Sequence, residues 1–397
     1  MRNILLPILL ILGFTVHAQT WDSIADIPVG KHHPVSFSLD GKGYSVTGTN
    51  SFNQNTKDVY RYDPVTNAWT ALPDFPGEAR SFAIGASYDS MGYMGFGATN
   101  NIYLNDLWQY SPKTGQWLQL ATCPCTGRRH PAFVIHDSTI FVGLGDGNSG
   151  NLNDWWAYDI ATNTWTQLAD LPGAVRHHPF QFNVNNEVYV GFGHGGPNIF
   201  RDWYKFNTND STWTKMRTFP GEARVAGTQF ANGNFGYVLS GDGDNHSFMN
   251  RGEFWRYNPL FDLWDQMPSH PGVSRWAPGS FVIDDIVYFF GGTDRQAGNF
   301  PLSAWMFNFN PVNTSLDDER FETKISLHPN PASNQVHWES DAIVSEIHIV
   351  NTIGQVVRNV PNPTKAIELG DLNNGIYVLQ FFNRGELLNT KKLLIQR

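Results

Sequence analysis

Tryptophan recurs along this chain at a fixed interval. Trp21, Trp69, Trp117, Trp165 and Trp213 stand 48 residues apart, and Trp264 follows after 51. A spacing held through six copies means that one supersecondary unit is repeated and that each copy packs on its neighbours. Two further markers keep the same interval. A glycine ends an aliphatic and aromatic run at Gly48, Gly97, Gly145, Gly193, Gly241 and Gly292, and a cation stands 17 residues before each, at Lys31, Arg80, Arg128, Arg176, Arg224 and Arg275.

Each unit reads as four short strands: one after the cation, one ending at the glycine, a third in segments such as DLWQYSP and DWWAYDI, and a fourth beginning at the tryptophan. Turn sequences such as PDFPGEA separate the units, and no helical period runs among them. The fold class is therefore all-β, and a period near 50 residues with four strands is that of a propeller blade. Six copies predict a six-bladed propeller over residues 19–311. The chain enters on a fourth strand, Trp21, Asp22, Ser23 and Ile24, and leaves after a third over residues 307–311. The N-terminal strand is thus expected to complete the sixth blade, leaving no open sheet edge.

With its glycine on the second strand, its tyrosine on the third and its tryptophan on the fourth, the repeat resembles kelch. Only Gly291 and Gly292 form that family's glycine doublet; the other copies carry Gly-x-Gly or a single glycine. The resemblance implies a propeller and, by itself, no particular activity.

Aromatic residues make up 14% of the chain and charged residues 16%, with 37 glycines and 23 prolines, a balance suited to strands and turns. A formal charge of −9 without any Lys/Arg-rich run excludes nucleic acid as the expected partner. Residues 1–18 read as a signal peptide: Arg2 is the positive end, residues 4–14 are apolar but too short to span a bilayer, and Val16-His17-Ala18 offers small residues for cleavage. No later stretch is long and apolar enough for a transmembrane helix, and a monomer is expected.

Residues 312–324 are polar and acidic and read as a linker, and residues 325–397 return to short strands without the blade markers, the pattern of a small Ig-like β-sandwich. This tail resembles the C-terminal sorting domain of the type IX secretion system of Bacteroidetes. The matching residues are Pro329-Asn330-Pro331, residues 351–357 (NTIGQVV), residues 372–379 (LNNGIYVL) and Lys391-Lys392-Leu393. The resemblance implies recognition by the type IX machinery, followed by release or attachment at the cell surface.

Ligand recognition is expected on the propeller face that gathers the loops after each glycine and the turns bearing the cations. Arg80, Arg128, Arg176, Arg224 and Arg275 around a shared axis suggest an anion site. A residue present in every blade also suits a scaffold role, so positions that break the symmetry carry the sharper expectation. His33, His130 and His178 hold the second position after the cation where the other blades have Phe82, Ala226 and Ala277. They would share a metal only if their side chains converge rather than pointing between blades, and no metal or cofactor is assigned.

Trp276 and the longer loops of the last two blades, bearing Asp242, His246, Phe248 and Phe300, complete the expected ligand-binding set. Phe52, Tyr103 and Phe200 extend the supply of aromatic faces beside polar groups, which is what a sugar ring requires. Asp146, Asp242 and Asp244 read as Asp-Gly turns before calcium ligands. Cys123 takes the apolar slot of Phe75, Leu171 and Phe219, and Cys125 a glycine slot, consistent with a buried residue and a turn thiol open to a local disulfide.

The expected function is a secreted or cell-surface binding protein for carbohydrate or protein. The alternative is a sugar mutarotase or epimerase of the kind known on six-bladed kelch rings, with Glu78 and Glu222 as candidate acid and base. A copper oxidase is not expected, because no Tyr-His pair accompanies the cysteines.

Overall fold

The structure, a computed structural model, describes residues 20–309 except 101, and residues 324–397 except 352–355 and 385. The expected signal peptide, most of the expected linker and residues 352–355 of the NTIGQVV motif lie outside the described residues. The chain divides into two compact units, Met1–Val312 and Asn313–Arg397.

Among the described residues, the first unit contains six four-stranded antiparallel sheets, here called blades. Blade one runs Val35–Leu39, Lys42–Val46, Val59–Asp63 and Ala68–Leu72, and each later repeat lays down the same meander. The sixth has three consecutive strands, Gly279–Ile283, Ile286–Phe290 and Ala304–Asn308, and takes its fourth, Trp21–Ile24, from the start of the chain. Trp21 lies opposite Phe307 and Ile24 opposite Ala304. The first strand of each blade packs on that of the next, and the sixth on the first. Alternate side chains of these strands therefore fill the space between blades, as where Phe182, Phe192, Trp203, Phe219, Tyr257 and Trp264 share one cluster.

The periodic markers turn out to bond across blade boundaries. The N–H of each marker glycine donates to the carbonyl of the next blade's cation: Gly48 to Arg80, Gly97 to Arg128, Gly145 to Arg176, Gly193 to Arg224, Gly241 to Arg275, and Gly292 back to Lys31. Gly97 shows why the position admits no side chain: its φ is +86°, and a Cβ there would lie 2.5 Å from the Ser81 carbonyl oxygen. Four marker tryptophans also reach the preceding blade, Nε1 of Trp69, Trp165, Trp213 and Trp21 donating to the carbonyls of Ala25, Ala121, Ala169 and Pro268.

Cys123 and Cys125 are both buried and form a disulfide, and Cys123 fills the slot that Phe75, Leu171 and Phe219 fill elsewhere. The second unit pairs a three-stranded with a four-stranded sheet around a core that includes Trp338, Ile347, Leu379, Phe381 and Leu393. Asn330 of the Pro-Asn-Pro motif holds the last strand at two points: its Nδ2 donates to the Lys392 carbonyl, and its Oδ1 accepts the Leu394 N–H.

Candidate functional site

The five arginines expected to bind ligand are scaffold instead. Arg80, Arg128, Arg176 and Arg224 are fully buried and Arg275 is 5% exposed, so none presents a free face. Arg80, Arg128 and Arg176 grip Asp106, Asp154 and Asp202 through two guanidinium nitrogens each, at 2.5 to 2.8 Å. Their Nη1 also donates to the carbonyls of Phe96, Leu144 and Phe192, stitching the turn to its own blade. Lys31 pairs with Asp58 and Arg224 with Glu253, both at 2.6 Å. Among the described residues Arg275 donates to Ser303 and to the Gly291 carbonyl, and burial lowers its pKa to about 10 against the opposing charges of Asp294 and Asp26. A buried cation needs a partner, and these pairs supply a carboxylate in the first five blades.

Two residues beyond each cation the chain passes through the left-handed region: φ is +50° at His33, +63° at Phe82, +51° at His130, +52° at His178, +53° at Ala226 and +51° at Ala277. None is glycine, so the surroundings must impose the conformation. Backbone bonds between blades do so at several points, with the N–H of His33, His130, His178 and Ala277 donating to the carbonyls of Ala277, Phe82, His130 and Ala226. The six residues line an axial cavity of about 120 Å³.

The left-handed turn sends these side chains toward the axis rather than between blades. His33 and His178, from blades one and four, face one another with their Nε2 atoms 2.9 Å apart. The His130 ring centroid lies 3.4 Å from that of His178 and 4.9 Å from that of His33. Ligand atoms of His33, His130 and His178 all lie within 4.8 Å of one another, and those of His177, His178 and His194 do likewise. Both ring nitrogens of His130 and Nδ1 of His178 lack a hydrogen-bond partner.

Around this centre sit His32, whose Nδ1 is 2.7 Å from Nδ1 of His33, and His177, whose Nδ1 bonds Asn151. Burial lowers the pKa of His32 to about 4 and of His177 to about 3, and drives those of His33, His130 and His178 well below the usual value. The whole cluster is therefore neutral at pH 7.

The longer loops brace each other. Arg295 forms an ion pair with Asp242 at 2.7 Å, donates to the His246 carbonyl and lies over the Trp276 ring. Asp242 is 1% exposed, and burial raises its pKa to about 6 against the pull of Arg295. Trp276 packs edge-on to His32 and His33, and Phe300 stacks on His32 while lying over Gly30. Phe248 is held in a bridge to Asp242, and His246 packs on His194. The structure thus brings the expected loop residues together around the histidines, but as a mutually packed collar. Arg295 is a member that sequence reasoning missed, whereas Arg129, which follows a repeat cation in the sequence, is tied to Asp146 at 2.8 Å.

Beside the collar a more open groove of about 620 Å³ runs between the loops of the first blades. Asn53, Gln54, Asn100, Tyr103 and Arg129 line it, and Phe82 links it to the axial ring. Tyr103 is half-buried beneath the Arg129 guanidinium, while Asn53, Gln54 and Asn100 are exposed. Glu78 and Glu222 are exposed and absent from both cavities; Glu222 accepts the Asp244 N–H and holds its loop.

Fold and site together define a propeller that displays its chemistry on variable loops, in a chain that also carries an export domain. The chain belongs to the Attractin/LZTR1 beta-propeller family, which it matches over residues 43–300. Residues 326–396 match the secretion system C-terminal sorting domain, and this type IX tail marks the protein for the cell surface or for secretion. No helix among the described residues is long and apolar enough to cross a membrane. No curated protein matches the chain.

Proposed function

We propose that the protein is a surface-displayed or released binding protein whose groove beside blades one to three takes a carbohydrate. One observation carries this reading: a groove of about 620 Å³ that combines exposed side-chain amides with the aromatic ring of Tyr103 and the fork of Arg129. Amides pair with sugar hydroxyls as donor and acceptor at once, and an aromatic face accepts the C–H side of a pyranose ring. The mutarotase alternative draws no support from Glu78 and Glu222, since neither lines the axial cavity or the groove.

The test is a glycan array probed with the full exported chain, followed by calorimetry on the best glycan. Tyr103→Ala and Asn100→Ala are expected to weaken binding at least about tenfold, and the exposed Asn100→Ala to leave the melting temperature nearly unchanged. Glycan binding that survives both substitutions, or an array without any bound glycan, overturns the reading.

A further inference from the structure

We propose that His33, His130 and His178 form a binding site for one divalent transition-metal cation, Zn²⁺ or a metal of similar nitrogen preference, at the centre of the axial ring. Three separate blades supply the ligands, and their candidate donor atoms lie within 4.8 Å of one another. Two nitrogens each about 2.0–2.1 Å from a shared zinc are separated by about 2.9 to 3.4 Å between right-angled and tetrahedral geometry. The His33 and His178 Nε2 atoms are already 2.9 Å apart.

The second observation is the state of His130. It is 9% exposed, yet neither ring nitrogen has a partner, and Nδ1 of His178 is also unserved. Buried polar atoms are normally paired. A chain of N–H···N bonds through His32, His33 and His178 accounts for the first contacts but leaves His130 unsatisfied. One ion at the centre takes one nitrogen from each of the three rings and gives His130 the partner it lacks.

The surroundings suit that role. The contact between the Nδ1 atoms of His32 and His33 leaves Nε2 of His33 free to ligate, the kind of outer support that orients metal-binding histidines. The two nearby guanidinium charges are balanced, Arg129 by Asp146 and Arg295 by Asp242. The axial cavity of about 120 Å³ adjoins the three rings, and a water occupies about 30 Å³, so there is room for a further ligand on an ion held by three histidines. This inference stands apart from the carbohydrate groove and survives its failure.

The experiment uses the tag-free full chain, stripped with a chelator, dialysed, and titrated with Zn²⁺ against a chromophoric competitor. The expected result is one equivalent bound at micromolar affinity or tighter, weakened at least about 100-fold by His33→Ala or His130→Ala and unchanged by His194→Ala. Circular dichroism checks that each variant is folded, and His178→Asn answers the same question should His130→Ala not fold. Co²⁺ in place of Zn²⁺ should give visible ligand-field bands that disappear in the same variants. Absence of stoichiometric binding, or wild-type affinity in the folded ring variants, overturns the proposal. So does loss of binding in His194→Ala alone, which would place the ion at His177, His178 and His194 instead.

Discussion

The N–H of Gly292 donates to the carbonyl of Lys31 at 2.8 Å, so the last repeat bonds to the first as every other repeat bonds to its successor. The same junction carries the strand Trp21–Ile24 on the edge of blade six, where Trp21 packs against Phe254, Phe289 and Phe307. Trp21→Ala is expected to cost about 3 kcal/mol, and deletion of residues 20–27 considerably more, because the deletion also bares a sheet edge. Thermal melting checks both; a deletion that melts like the parent protein refutes the latch.

Arg176→Ala separates scaffold from site. It leaves Asp202 part-buried opposite an empty space, and breaking such a pair is expected to cost about 3 kcal/mol. Affinity for the glycan should not change. A variant as stable as the parent but unable to bind would return the arginines to the ligand site.

Acid should destabilise the propeller through its buried histidines before most of its carboxylates titrate, Asp242 at about 6 excepted. Burial lowers His270 to about 3, with the Pro271 carbonyl opposing and Arg275 reinforcing the shift, and His33 and His130 are lowered too. An unfolded histidine titrates near 6.5, so below that pH the unfolded chain takes up protons that the folded one refuses. Stability therefore falls as pH drops from about 6.5 towards the folded values, by up to about 1.4 kcal/mol per pH unit for each such histidine. Urea melts at pH 7, 6 and 5 measure the slope. His130→Phe, which copies what blade two already carries at Phe82, should make it shallower; a slope that the substitution leaves unaltered counts against the neutral cluster.

Export depends on the tail. Removing residues 325–397 is expected to leave a folded propeller that accumulates in the periplasm, detectable by fractionation. Asn330→Ala, which loses the two bonds to the last strand, should destabilise the tail by about 1–2 kcal/mol without moving the propeller's own transition. Normal delivery of the truncated chain would contradict the sorting role.

The repeat was legible because its markers are needed in every blade: Gly97 must have positive φ where a Cβ would collide, and Trp69 must reach back to Ala25. The cations were legible as positions but not in role. The missing signal lies in the acids that open the third strands, Asp58, Asp106, Asp154, Asp202 and Glu253, each the partner of its blade's cation. The histidine centre was the least legible. His33 and His178 are 145 residues apart and meet only because a left-handed turn aims both inward, and no local pattern of side chains announces such a turn at a residue other than glycine.

The ring of left-handed residues has an evolutionary consequence. Its backbone is held by main-chain bonds and by the neighbouring cation turns, so the same conformation accommodates imidazole, benzyl and methyl groups at His33, Phe82, His130, His178, Ala226 and Ala277. Selection can exchange any one of these six groups without redesigning the frame that presents it. The ring works as an interchangeable set of fittings, one frame presenting three different chemistries at the axis within a single chain.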